Sequence, residues 1–244
     1  MDKLKYLHYS LSIIHCPLST IHYPLIMTYI SEISFLFKKE MMLEWRQKYA
    51  LGGILLYVTS TVFVVFLSFV KVLPDIWNAL FWIISLFASV NAVAKSFVQE
   101  NTARQLYYYQ LANPTAVILS KIFYNIFMLL IINLLTFSIL GLMVGNPVLD
   151  TPQYIGAIVL GSVGFSITFT FISAIAGKAN NSATLMAILR FPVVLPILIT
   201  LIRLSKNAIA AKASTWASDI QTLGAIDAIL IALCFILFPY LWRD

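Results

Sequence analysis

TAVILSKIFYNIFMLLIINLLTFSILGLMV, residues 115–144, is a run of 30 positions with one formal charge, Lys121. A helix needs about 20 apolar residues to cross the hydrocarbon core of a bilayer. A helix on a water-soluble domain would keep one polar face, and this run has none. Its boundaries are also written as helix boundaries. Asn113-Pro114 places a capping residue before a proline in the first turn, and Gly145-Asn146-Pro147 ends the pattern. The stretch therefore reads as a membrane span, and that reading sets the class of the whole chain.

Five further runs of similar character lie on either side of it: 51–70, closed by Lys71 and Pro74-Asp75; 76–93, ending at Lys95; 154–176; 185–202; and 223–241. Six spans fit the composition. Charged residues make up 11% of the 244 positions and hydrophobic ones 61%, whereas a soluble domain carries about 25% charged residues. The expectation is an all-α integral membrane protein with six transmembrane helices. Six spans put both termini on one side. With the N-terminus cytoplasmic, the opposite side holds only Lys71, Arg203, Lys206 and Lys212, and the remaining twelve of the 16 Lys and Arg residues are cytoplasmic. The positive-inside rule then gives an N-in, C-in topology. The net charge of +6 is explained by these anchors and does not call for nucleic acid.

Residues 1–26 hold all three histidines, His8, His15 and His22, seven apart, within a near-repeat containing Pro17 and Pro24. The prolines break the continuous helix that would align the imidazoles for a metal. The apolar stretch also lacks the cleavage pattern of a signal peptide. The segment reads as an extension before a start at Met27, with a disordered or membrane-surface tail as the other reading. Over 27–50 the pattern becomes amphipathic. Ile30, Ile33, Phe37, Met41 and Trp45 share one helical stripe, and Lys38, Lys39, Arg46 and Lys48 lie largely elsewhere. This predicts a helix in the interface plane, with its basic residues near anionic headgroups. The permease domain proper then covers 51–244.

Catalytic constellations are missing. Gly177-Lys178 is no phosphate loop, because Ile172 stands where the first glycine is required and Ala179 where the hydroxyl residue is required. The chain is therefore expected not to hydrolyse ATP and not to be an enzyme. Cys16 and Cys234 suggest neither a disulfide framework nor a metal site. Asp227 is the one carboxylate inside a span. It is expected about one turn from the outer end of the sixth helix, exposed at the interface or paired with Lys or Arg, with a proton- or substrate-linked role as the alternative. Arg190 and Lys121 are expected to snorkel from helix ends, and Asn91 and Asn133 to hydrogen-bond across helices.

In the fourth span, Ala157, Gly161 and Gly164 lie along one face, and such small residues let helix backbones approach closely in lipid. In the fifth, Pro192 and Pro196 each remove a backbone hydrogen bond, predicting a bend that is either a static shape or a gating hinge. A short re-entrant or surface helix is expected over 203–219. The segment FVQENTARQLYYYQLANPTAVILSK, 97–121, joins the second and third spans on the cytoplasmic side. Glu100 and Arg104 form an i,i+4 pair. Leu106, Tyr107, Tyr108, Tyr109 and Leu111 follow on a short helix lying on the membrane. Its aromatic residues serve either as an interfacial anchor or as a docking knob for a partner.

Several stretches together give a resemblance. EWRQKYALGGILLYV (44–58), QENTARQLYYYQLANP with ILSKIFYN, and LMAILRFPVVLPILI (185–199), in this order among six spans, resemble the CcmB family, the membrane subunits of the haem-exporter ABC system of cytochrome c maturation. Arg190 departs from the family's small or apolar residue before the proline pair. The resemblance covers about 27–244. It implies an ABC-2-type permease that pairs with a second copy of itself and takes a CcmA-type ATPase on its cytoplasmic face. CcmC and CcmD would complete the complex, and the haem chaperone CcmE would be its client. The implied location is the bacterial inner membrane. Region 97–113 would be the coupling segment and the 27–50 helix the elbow. ATP would act only through the partner, and haem would be a transported or transiently contacted ligand with no permanently bound cofactor. The work would be haem export or release of haem-loaded CcmE. A lipid or drug exporter of the same architecture and a non-transporting assembly scaffold are the alternatives.

Overall fold

A computed structural model of the chain describes residues 25–46, 48–93, 113–176, 182–210 and 216–243. All regular structure among these residues is helical. The helices are α1 (Leu25–Arg46), α2 (Lys48–Ser68), α3 (Pro74–Val93), α4 (Pro114–Val144), α5 (Thr151–Ala176), α6 (Ser182–Ile209) and α7 (Trp216–Arg243). Five of them, α3 to α7, are long and apolar enough to cross a membrane. The first expected span, 51–70, is helical as α2, of which Gly52–Ser68 is described as an apolar stretch.

Local chemistry explains the boundaries. Asn113 is extended (φ −70°, ψ 124°) before Pro114, whose missing N–H is harmless in a first turn. α4 ends at Gly145, whose φ of +100° is open to glycine and strained for other residues. Asp150 opens α5, its carboxylate accepting from Gln153 N at 3.1 Å.

α5 is the central rod. Of its apolar stretch, 67% is buried, against 22% for α7 and 28% for α4. It is the helix richest in small and hydroxyl residues, and in lipid close backbone approach holds helices together where water exclusion cannot. The outer surface is apolar, with Leu56, Leu67, Phe191 and Ile236 well exposed. On a soluble protein such a surface would aggregate, but it suits contact with acyl chains.

Hydrogen bonds fix which ends meet. Asn78 on α3 donates to Ile202 O on α6 at 3.0 Å, and its Oδ1 accepts from Tyr154 on α5 at 3.1 Å. Trp82 Nε1 donates to Ser205 on α6 at 2.8 Å. The starts of α3 and α5 and the end of α6 therefore form one end of the bundle, here the far end. Trp77, Phe81, Trp82, Phe137 and Tyr154 interlock there through edge-to-face and stacked rings. The opposite end, where α1 packs, is the elbow end.

No separate helix occupies 203–219. Residues 203–209 continue α6, 216–219 begin α7, and 211–215 lie outside the described residues. The continuation has a physical cause: Leu204, Ser205 and Ala208 are fully buried against the bundle, with Ser205 serving the Asn78 and Trp82 contacts. That packing outweighs the polarity of the exposed side, which suggested a surface segment.

Candidate functional site: the elbow and the start of the longest span

α1 lies along the first turns of α4. Leu36 is buried against Ala116 and Val117, with Ile33 beside them. About two to three turns further along α4, the Phe37 ring meets Tyr124 and Phe127 edge-on, at centroid distances of 6.5 and 6.4 Å. Two acidic residues frame this apolar strip. Glu32 Oε1 accepts from Asn113 N at 2.9 Å, so the elbow holds the residue at which the chain leaves 94–112 and enters α4. Two turns further along α1, Glu40 Oε1 lies 3.4 Å from Lys121 Nζ and 2.9 Å from Lys39 Nζ.

Lys121 does not snorkel; its side chain is 2% exposed. The partner comes from α1, outside the span itself, which is why a search along the span alone does not find it. Burial pushes the Glu40 carboxyl up, but the charges of Lys121 and Lys39 and their hydrogen bonds pull it down further. The net result lies below the ordinary glutamate value, so the carboxylate is ionised at neutral pH. A buried ion pair of this kind fixes register more than it adds stability. Here it sets where the elbow sits along α4.

α4 is in turn fastened to α5 along its length. Asn125 Nδ2 donates to Thr170 Oγ1 at 2.7 Å, Ser166 Oγ to Ile122 O at 2.9 Å, and Asn133 Nδ2 to Ser162 Oγ at 3.0 Å. Asn113, α1, α4 and α5 are thus joined by one continuous set of side-chain contacts. Of the two asparagines expected to bridge helices, Asn133 does so, and Asn91 is exposed.

The remaining candidates separate by position. Glu100, Arg104, Leu106, Tyr107, Tyr108, Tyr109 and Leu111 lie outside the described residues, and Asn113 is where the structure resumes after them. α6 runs as one helix through Pro192 and Pro196, both on its exposed side. Ala157, Gly161 and Gly164 are buried on α5. A Cβ at Gly161 would lie 2.7 Å from the Trp82 ring, and one at Gly164 would lie 3.0 Å from Asp227 Oδ1. Arg190 places its guanidinium 5.7 Å from the centre of the Phe169 ring. Among the described residues no cluster of three His, Cys, Asp or Glu side chains is placed to hold a metal.

Asp227 corrects its expectation. α7 begins at Trp216, so the residue lies three turns in rather than one, and it is 7% exposed with no Lys or Arg partner among the described residues. Glu32 and Glu40 had no place in the sequence reading. Their spacing of eight, two turns of one helical face, was the available signal.

No curated protein and no solved structure shows a significant match to this chain. The family model described as "CcmB protein" matches residues 31–240, from the elbow through the last helix. With most of the elbow, the long span and all the fastening residues inside that match, the chain belongs to the CcmB family.

Proposed function

We propose that this chain is the membrane-spanning permease subunit of an ATP-driven system serving haem export in cytochrome c maturation. Family membership carries the permease role in that system. In this reading six helices span the inner membrane, α2 being the first, and both termini and the elbow are cytoplasmic. A CcmA-type ATPase docks on segment 97–113, and a second copy of the chain completes the pathway. CcmC, CcmD and CcmE are the associated components, and the cargo step is haem export or release of haem-loaded CcmE.

The observation that supports this reading is the bond from Asn113 N to Glu32 at the exit of the docking segment. Closure of the ATPase dimer would displace 97–113. The Glu32 and Glu40 contacts turn that displacement into joint motion of the elbow, α4 and, through the asparagine bonds, α5. Nucleotide can drive such a shift only through different affinity for the two arrangements.

The test separates docking from transmission. Glu100→Lys and Leu106→Asp should abolish co-purification of the ATPase while membrane insertion persists. Glu32→Ala should leave co-purification intact and lower ATP-dependent cytochrome c maturation. Normal co-purification in both docking variants would refute the reading.

A further inference from the structure

Among the described residues of the five spanning helices, Asp227 is the one buried carboxylate. Asp227 lies near the middle of the span Trp216–Leu237, Gly164 near the middle of Thr151–Ala176, and Ile197 near the middle of Ile188–Ile209. The three meet. A Cβ on Gly164 would sit 3.0 Å from Asp227 Oδ1 and 3.3 Å from the Ile197 side chain. The missing side chain at 164 is thus the space in which the carboxyl rests. Asp227 Oδ1 is buried and has no hydrogen-bond partner among the described residues, and neither has Thr168 Oγ1, one turn from Gly164 towards the elbow end.

Among the described residues, every charge near this level is engaged elsewhere, distant or, as with Arg203 on α6, exposed. On α6, Arg190 stands over the Phe169 ring two turns from Ile197, roughly 10 Å along the axis. On α4, Lys121 is held by Glu40. On α5, the Tyr154 hydroxyl is bound to Asn78. On α7, Asp219 accepts from Asn207, and Cys234, two turns beyond Asp227, is buried and free of disulfide. An ionised carboxylate with no cation near it and no donor to its buried Oδ1 among the described residues, in the middle of a lipid-embedded bundle, is among the least favourable arrangements a protein can hold. The neutral acid removes the charge and adds a hydroxyl donor for the orphaned oxygens nearby.

We infer that Asp227 is a proton-binding site: its carboxyl holds a proton while α5 and α7 are closed on each other, and yields it to water when that seam parts. On release the O–H bond breaks and the proton passes to an entering water molecule; on closure a hydronium returns it. Ser166 is bonded to Ile122 O on α4, so Thr168, whose hydroxyl has no partner among the described residues, is the polar group towards the elbow end that would receive that water. The opening half of this inference rests on the ATP-driven motion proposed above, and the site itself does not.

The experiment is infrared difference spectroscopy on the full chain in lipid nanodiscs, with and without the ATPase subunit. At neutral pH the wild-type chain should show the C=O stretch of a protonated carboxylic acid, absent in Asp227→Asn. Coincident wild-type and Asp227→Asn spectra would overturn the site. Gly164→Ala, which keeps the acid and presses on it, should shift the band, so the assignment does not depend on Asp227→Asn folding. Trapping the ATPase with nucleotide should remove the band or speed its exchange in heavy water. A band unchanged by a bound, trapped ATPase would overturn the release step. Failure of the ATPase to bind would count against the proposed function and leave the band itself to decide the site.

Discussion

A methyl group added at position 161 would meet the six-membered ring of Trp82 at 2.7 Å. That ring is held on its other side by the Nε1 bond to Ser205, so it cannot swing away freely. Overpacking costs about 1–3 kcal/mol, and alanine regains only about 1 kcal/mol of helix propensity. Gly161→Ala should therefore lower the melting temperature in detergent. Gly156→Ala, whose added carbon meets Trp216 at an ordinary 3.6 Å, should leave it unchanged or raise it. A second residue-scale prediction concerns acid. Glu40 is held below its ordinary value of 4.5. Its contribution to elbow docking is therefore complete above that value and is lost as pH falls through the lowered one. Protection of α1 against hydrogen exchange, taken relative to the intrinsic rate at each pH, should be flat from neutral pH down to the ordinary glutamate range and fall below it, and Glu40→Gln should be weakly protected throughout. An elbow whose protection in the wild type changes near neutral pH would contradict the assignment. Sequence alone made Gly161 legible through its spacing. It could not give Glu40, because the reason for its burial sits 81 positions away on another helix.

At the scale of elements, α4 and α5 behave as one body because three side-chain hydrogen bonds run between them. Bonds of this kind are worth about 0.6 kcal/mol on average within membranes. Asn133→Leu should thus cost about 1 kcal/mol in a folding assay, whereas Asn133→Leu combined with Ser162→Ala, which removes both partners, should cost less than the sum of the single changes. Additive losses would show that the pair is not coupled. The helices themselves were legible because apolar runs of spanning length leave little freedom. α3, α4 and α5 begin within three residues of the expected positions. The end of α6 and the start of α7 were not, since 203–219 mixes exposed charges with buried contacts. Arg203 and Lys206 face outward while Leu204, Ser205 and Ala208 pack inward. Polarity counted along the chain reports the exposed face and misses the buried one. The same error displaced Asp227: once α7 is extended back to Trp216, a residue read as near the end lies midway along.

On the scale of the whole molecule, the far end and the elbow end differ in what they expose, and the proposed function requires the elbow end to face the ATPase. Leu73 and Leu149 are exposed at the far end, at 66% and 74%, in the connections before α3 and α5. Asn113 is exposed at the elbow end. The chain carries two cysteines, Cys16 and Cys234, and Cys234 is buried. In a Cys16→Ser background, single cysteines at 73, 149 and 113 therefore report sidedness with little interference. Charge supports one orientation, because the far-end connections carry few Lys and Arg residues while the elbow end holds Lys38, Lys39, Arg46 and Lys48. A membrane-impermeant thiol reagent added to intact cells should label Leu73→Cys and Leu149→Cys. It should label Asn113→Cys only after the membrane is opened. The reverse pattern would put Asn113, and with it the exit of segment 97–113, on the side without ATP. The Glu32 bond would then have no motor to transmit, and the permease reading would fail even though the fold, the elbow packing and the Asp227 seat remained as they are.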